Sequence, residues 1–168
     1  CRDGRLAFVG SRSERERLWG ELPGTARLDG QRATAVPGFV DAHTHLPWAG
    51  SREMEFAQRL AGRSYQEIAA AGGGILSTVR STRAADGDEL LALMLRRLEW
   101  MLSCGTTTAE AKSGYGLSLA DESKQLETIA RAARLQPVEL VPTLLAAHEV
   151  PPEYRTDRDR YVDLVCAE

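Results

Sequence analysis

The sequence predicts an α/β fold built from parallel βα units, and three observations carry that prediction. From residue 38 onward, short apolar or β-branched runs alternate with helical patterns, the order that produces a parallel sheet. The first run, Phe39 to His43, starts apolar and ends polar, as strands do when function gathers at their carboxyl ends. The 168 residues fall short of the roughly 250 that a closed (β/α)8 barrel uses. The expectation is therefore a partial TIM-like barrel, with residues 1–37 forming part of a small β-sandwich-like domain and residues 38–168 supplying the first βα units.

Residues 5 to 37 are polar, with short apolar pieces at Leu6–Val9 and Ala33–Val36 and turn residues such as Gly10, Pro23, Gly24 and Gly30 between them. Short strands are expected there, with the charged stretch 13 to 19 a turn of helix. Pro37-Gly38 marks the boundary, and Phe39-Val40-Asp41-Ala42-His43 follows as a strand. Residues 46 to 63 read as a loop with a short helix, and Tyr65 to Ala71 as helical. Gly72-Gly73-Gly74 then interrupts the chain. A flexible loop is the first reading of that triplet, and close approach of the backbone to a neighbour is the second.

Asp86 and Glu89 suit the start of a helix, Leu91, Met94, Leu98 and Met101 follow at helical spacing, and Gly105 suits its end. Thr106 to Lys112 reads as a strand and Ser113-Gly114-Tyr115-Gly116 as a turn. A helix from about Leu119 to Leu135 is expected to bury Leu126, Ile129, Ala130 and Ala133, with Ser118 and Asp121 at its cap. Val138 to Ala146 reads as the next strand, leading to His148 and Pro151-Pro152. The chain starts at Cys1 and stops at Glu168 within Tyr161–Glu168, a continuing helical pattern, so a piece of a longer polypeptide is expected.

Composition narrows the function classes. Hydrophobic residues make up 43% and charged residues 27%, a balance that can bury a core. A net charge of −3 with dispersed Lys and Arg gives no reason to expect a nucleic-acid surface. Three widely spaced cysteines, Cys1, Cys104 and Cys166, form neither a disulfide framework nor a zinc knuckle. No apolar stretch reaches the roughly 18 residues of a membrane span, and no signal peptide is recognisable at the start. A cytoplasmic, reducing location is the expectation.

All three histidines follow expected strands. His43 and His45 are two apart, and strand side chains at that spacing point the same way. Two imidazoles can then converge on one metal at about 2.0–2.1 Å per bond, with Asp41 on the same face to orient a ligand. A polar, solvated strand end is the plain alternative. Arg52 can grip a carboxylate through parallel hydrogen bonds. Tyr115, between two glycines, can be aimed inward by a tight turn, and His148 ends the following strand. Each of the three is by itself an ordinary surface or packing residue, and their shared position after strands of one sheet gives them weight. Glu110 and Lys112 share a face, where a structural pair is favoured over a modified, metal-bridging lysine.

Pro37-Gly-Phe-Val-Asp-Ala-His-Thr-His45 resembles the metal motif of the amidohydrolase superfamily. Four further runs, Ala49–Phe56, Ala71–Ile75, Gly105–Leu117 and Ala147–Tyr154, narrow the resemblance to the imidazolonepropionase family. It implies a hydrolase of histidine degradation that opens 4-imidazolone-5-propanoate to N-formimidoyl-L-glutamate with one divalent ion, zinc or iron. It implies His43 and His45 as metal ligands, Arg52, Tyr115, His148 and Tyr65 as substrate contacts, and His148 as the catalytic group among them. A further His and an Asp, implied as the remaining ligands, do not occur in matching positions of this chain. The substrate would be a small molecule, with no nucleic-acid or membrane partner, and a homodimer of the full-length protein is left open. Two other readings stand beside this one: another amidohydrolase such as a cyclic-amidine deaminase, which would not need Arg52, and a non-catalytic truncated product.

Overall fold

The computed structural model describes residues 1, 4–20 and 23–167, and divides into two compact units, Cys1–Val36 and Pro37–Glu168. Positions 21 and 22 of the expected β segment, and Glu168 of the expected terminal helix, lie outside the described residues.

Among the described residues the first unit holds one helix, α1 (Arg12–Trp19). Ser11 caps it by accepting from the Glu14 N–H, and the Glu14 carboxylate accepts from the Ser11 N–H at 2.8 Å, a reciprocal box. The helical turn expected at 13 to 19 is present. The strands expected across 5 to 37 are not: among the described residues this unit shows an isolated bridge at Arg5 and no strand. A strand needs a paired neighbour and a covered face. Here Leu6, Val9, Leu28 and Val36 are all exposed, so neither condition is met.

The second unit is a mixed α/β structure around a three-stranded parallel sheet in the order β1-β2-β3, with β1 at Phe39–Thr44, β2 at Thr106–Lys112 and β3 at Glu139–Thr143. Between β1 and β2 lie α2 (Glu53–Leu60), α3 (Tyr65–Ala70), α4 (Ile75–Ala84) and α5 (Gly87–Ser103); α6 (Leu119–Ala132) joins β2 to β3. A short 3-10 turn at Pro152–Tyr154 and α7 (Arg158–Ala167) follow. Helix α4 is absent from the sequence reading. Its apolar signal is short, Ile75, Leu76 and Val79, and its buried face is completed by Thr78 and Thr82. β3 is shorter than expected and stops at Thr143, which leaves His148 in the turn beyond it.

α5 forms where propensity and pattern agree. The Asp86 carboxylate accepts from the N–H groups of Asp88 and Glu89, and Leu90, Met94 and Leu98 are buried along one stripe. The chain leaves the helix through Gly105 at φ +94, a left-handed conformation that suits glycine. β2 alternates: Ala109 and Ala111 are fully buried towards the helices, while Glu110 and Lys112 are half-buried on the other side. Small side chains at 109 and 111 let α5 and α6 lie close to the sheet. Met94, Leu98, Ile129, Ala132, Val138 and Leu46 complete that core. Each large side chain buried there contributes about 1.5–3 kcal/mol.

α6 departs from its expected face. Ile129 is buried, but Ala130 and Ala133 are exposed, and Glu122, Gln125, Thr128 and Ala132 are buried in their place. The reason is chemical: Glu122 and Gln125 make hydrogen bonds to loops at the top of the sheet, and the helix is rotated to deliver them.

Candidate active site

The carboxyl ends of the three strands bring four aromatic rings together. His43 is the fifth residue of β1, and His45 follows the strand's last residue. Their ring centres are 5.8 Å apart, so both project from the same side, as the spacing predicted. His45 stacks on His148 with centres 4.8 Å apart and planes 14° from parallel. Tyr115 completes the group, 5.0 Å from His45 and 5.4 Å from His148.

Hydrogen bonds fix the orientation of two of these imidazoles. His45 Nδ1 lies 2.7 Å from the Ser113 carbonyl oxygen, and His148 Nδ1 lies 2.9 Å from that of Gly114. A carbonyl only accepts, so both Nδ1 atoms carry a proton, and in the neutral form of either ring the Nε2 lone pair is left over. Burial disfavours the charged form of His45, and the neighbouring His148 adds to the effect, so its pKa lies below the ordinary imidazole value. The Tyr115 phenol is pushed up by burial, an effect that the positive charge of Arg52 opposes.

Arg52 is the residue preceding α2 and is exposed. Its Nε and Nη2 donate to Glu55 Oε2 at 2.8 and 2.7 Å, which leaves Nη1 for another acceptor. Glu55 also explains the triple glycine. Its Oε1 accepts the Gly74 N–H at 2.9 Å, and a Cβ on Gly73 would come within 2.8 Å of Ile68 Cγ2 and 3.0 Å of that same Oε1. Close approach, not a flexible loop, is what Gly73 serves. Tyr65 stands apart from the ring cluster. It lines a neighbouring cavity of about 200 Å³ with Glu149, Arg155, Ile75 and Leu76.

Asp41 accepts from the backbone N–H of His43 at 3.2 Å, so it braces the strand end and not the ring. Glu110 and Lys112 form the structural pair favoured from the sequence, 2.6 Å apart, with the Thr143 hydroxyl donating to the same Glu110 oxygen at 2.7 Å. A larger hollow of about 920 Å³ lies in the first unit, lined by Arg12, Arg15, Arg27 and Asp29 among others; no histidine lines it, and we assign it no role.

Among the described residues no set of three or more His, Cys, Asp and Glu is arranged to hold a metal ion. A pair is a different matter. Two imidazoles bound to one ion at about 2.0–2.1 Å each can place their ring centres at most roughly 6.5 Å apart. The 5.8 Å between His43 and His45 lies within that limit, so the distance between the rings is compatible with a shared ion.

Glu122, Gln125, Arg83 and Glu55 hold this site and are not among the residues singled out from the sequence. Glu122 and Gln125 carry no local signal beyond their polarity.

Fold and site together define an α/β protein whose candidate active site is assembled on the carboxyl ends of parallel strands, as in the amidohydrolases. Comparison with known proteins sharpens this. The chain is 56% identical over 168 residues to an imidazolonepropionase of Symbiobacterium thermophilum, covering 100% of this chain and 40% of that protein. It is 53% identical over 166 residues to an imidazolonepropionase of Ectopseudomonas mendocina, covering 99% and 40%, and 53% identical over 168 residues to one of Myxococcus xanthus, covering 99% and 39%. No family model matches the chain. The chain is similar to imidazolonepropionases along its whole length and spans about 40% of the length of the curated relatives it matches.

Proposed function

We propose that the whole protein is a metal-dependent hydrolase that opens the ring of 4-imidazolone-5-propanoate to N-formimidoyl-L-glutamate in histidine degradation, breaking a cyclic C–N bond. The observation that carries this reading is the convergence of His43, His45, Tyr115 and His148 on one side of the strand ends, with two Nε2 lone pairs left available by backbone hydrogen bonds. In this reading the three strands are the opening units of a TIM-like barrel, and the protein is cytoplasmic. Among the described residues no helix is long and apolar enough to cross a membrane.

His43 and His45 would hold one divalent ion, zinc or iron, and the remaining ligands would come from the part of the relatives' length that this chain does not span. Such an ion supplies an activated water at neutral pH and polarises a carbonyl oxygen. The chain's own residues bind and orient. Arg52, braced by Glu55, offers a guanidinium for the propanoate carboxylate. The Tyr115 phenol, already protonated at neutral pH and pushed further up by burial, offers a hydroxyl donor to the substrate. His148, whose Nδ1 donates to Gly114, presents an Nε2 that can accept a proton from the substrate ring. Tyr65 would close the substrate side from the adjoining cavity.

The test is the full-length protein carrying His43→Ala. Bound metal is expected to fall, and the ring-opening rate to drop by at least about a hundredfold, since even outer partners of a metal ligand are worth 10–100-fold. Full activity with unchanged metal content would refute the ligand assignment.

A further inference from the structure

We propose that Glu122 is a positioning residue which, with Gln125 and Arg83, locks the Gly114–Leu117 turn and through it aims Tyr115 and His148 at the substrate. This rests on the reading above, in which those two residues contact substrate.

Four consecutive backbone N–H groups of the turn point at two side chains of α6. Glu122 Oε2 accepts from Gly114 at 2.8 Å, and Oε1 accepts from Gly116 at 2.8 Å and Leu117 at 2.7 Å. Gln125 Oε1 accepts from Tyr115 at 3.3 Å, and its Nε2 donates to the Pro47 carbonyl at 3.2 Å, beside the His45 loop. The carbonyls of the turn are held from the other side. Arg83 Nε donates to Gly116 at 2.6 Å and Nη2 to Leu117 at 3.2 Å, while Nη1 pairs with Glu153 at 2.8 Å. The Gly114 carbonyl takes the His148 Nδ1 proton.

The device is costly unless its geometry matters. Glu122 is 1% exposed and Gln125 0%. A buried carboxylate is penalised heavily unless its lone pairs are satisfied, and a loop with no positional duty does not need one. The turn is also strained at Leu117, which is not glycine and has φ +54. A Cβ on Gly116 would meet the backbone of α6 at 2.5 Å, so the turn lies directly on the helix that carries Glu122. Tyr115 therefore has a tied amide at its own residue and on both sides, and His148 is tied to the same turn by its ring.

The test is Glu122→Gln in the full-length, metal-loaded enzyme. The substitution keeps shape but turns an N–H donor against one or more of the turn's amides. The loss in kcat/KM is expected to be on the order of a hundredfold, the scale of a small misplacement of a substrate contact. The discriminating measurement is the cycle with Tyr115→Phe. If Glu122 acts through Tyr115, the double variant loses no more than about the larger single loss; independent losses that multiply would overturn the proposal. Hydrogen exchange at Gly114, Gly116 and Leu117 is expected to speed up at least tenfold while the interior of α6 is unchanged. Unchanged exchange at those amides overturns the proposal whatever the substrate. Should Glu122→Gln not fold, Arg83→Met, at a partly exposed side chain, takes its place in the same cycle: losses that do not multiply support the proposal, and losses that multiply overturn it. A parent enzyme unable to open the imidazolone would sink the functional reading, and the exchange measurement would still judge the turn.

Discussion

Arg97 offers a direct test of how the loop after His45 is held. It projects from α5, and its Nη1 donates to the carbonyls of Leu46 and Trp48, both at 2.7 Å. Its guanidinium carbon sits 3.8 Å from the Trp48 ring centre. Burial pushes its pKa down to about 10, and the charge of Arg96 adds to this, so it remains a cation at neutral pH. Arg97→Met keeps the stem's packing and removes the rest. The Leu46 carbonyl keeps a second donor, the Trp48 N–H at 3.0 Å, so its loss is partial. The Trp48 carbonyl loses its charged donor, a cost of about 1–3 kcal/mol for a group out of water, and the cation–π contact adds about 0.5–2 kcal/mol. With some water returning to the half-buried loop, the expected net loss is about 2–4 kcal/mol. Arg97→Lys keeps the cation but not the planar group stacked on Trp48, and is expected to lose about half as much. Urea unfolding followed by fluorescence measures both. A Met variant within about 0.5 kcal/mol of the parent would show that these contacts do not hold the loop.

Other perturbations test other parts of the structure. The Lys112 ammonium, then the Thr143 hydroxyl, hold the Glu110 carboxyl below the ordinary carboxylate range. A lowered folded-state pKa means the unfolded chain binds more protons, so this stability is present above the ordinary value and is lost as pH falls through the folded value. Glu110→Gln should flatten the acid limb of a stability–pH curve, and an unchanged limb would exclude the pair as its source. Gly116→Ala should cost about 1–3 kcal/mol, because its Cβ would face α6 backbone atoms 2.5 and 2.6 Å away, and thermal unfolding checks this. His45 should appear in nitrogen-15 spectra as the Nδ1–H tautomer, neutral at pH 7 and still neutral somewhat below the ordinary imidazole value. An Nε2–H signal would contradict the bond to Ser113.

The legible parts of this chain are those where one local rule suffices. α5 declares itself through Asp86, its apolar stripe and Gly105, and β2 through its run of threonines. The closeness of His43 and His45 is suggested by their spacing, although the strand ladder is irregular between Asp41 and Thr44. What stayed hidden depends on contacts between distant residues. The polar face of α6 cannot be read from its own spacing, because Glu122 and Gln125 are buried only by virtue of a turn five to ten residues upstream and of Pro47. Gly73 looks like a hinge until Ile68 and Glu55 are seen against it. The expected strands of the first unit failed for the complementary reason: short apolar pieces and turn residues are present in the sequence, but a strand is defined by its neighbour.

The sheet divides its labour along its length, and that division explains why so many site residues act through backbone groups. At the amino ends the Phe39 N–H reaches the carbonyl of Gly105, just past the end of α5, at 2.8 Å. Further along, the helix-facing side of β2 is alanine and the opposite side carries Glu110 and Lys112, tied to Thr143 on β3. Beyond the last residues of the strands the ladder is over, and loop amides and carbonyls must find other partners or lose stability. Here they find side chains of the candidate site: the Ser113 and Gly114 carbonyls accept from imidazole Nδ1–H groups, and the Gly114 and Tyr115 amides donate to carboxylate and amide oxygens of α6. One set of bonds thus satisfies the loop and fixes the tautomers of His45 and His148. The chemistry of the site and the completion of its backbone hydrogen bonding cannot be altered separately.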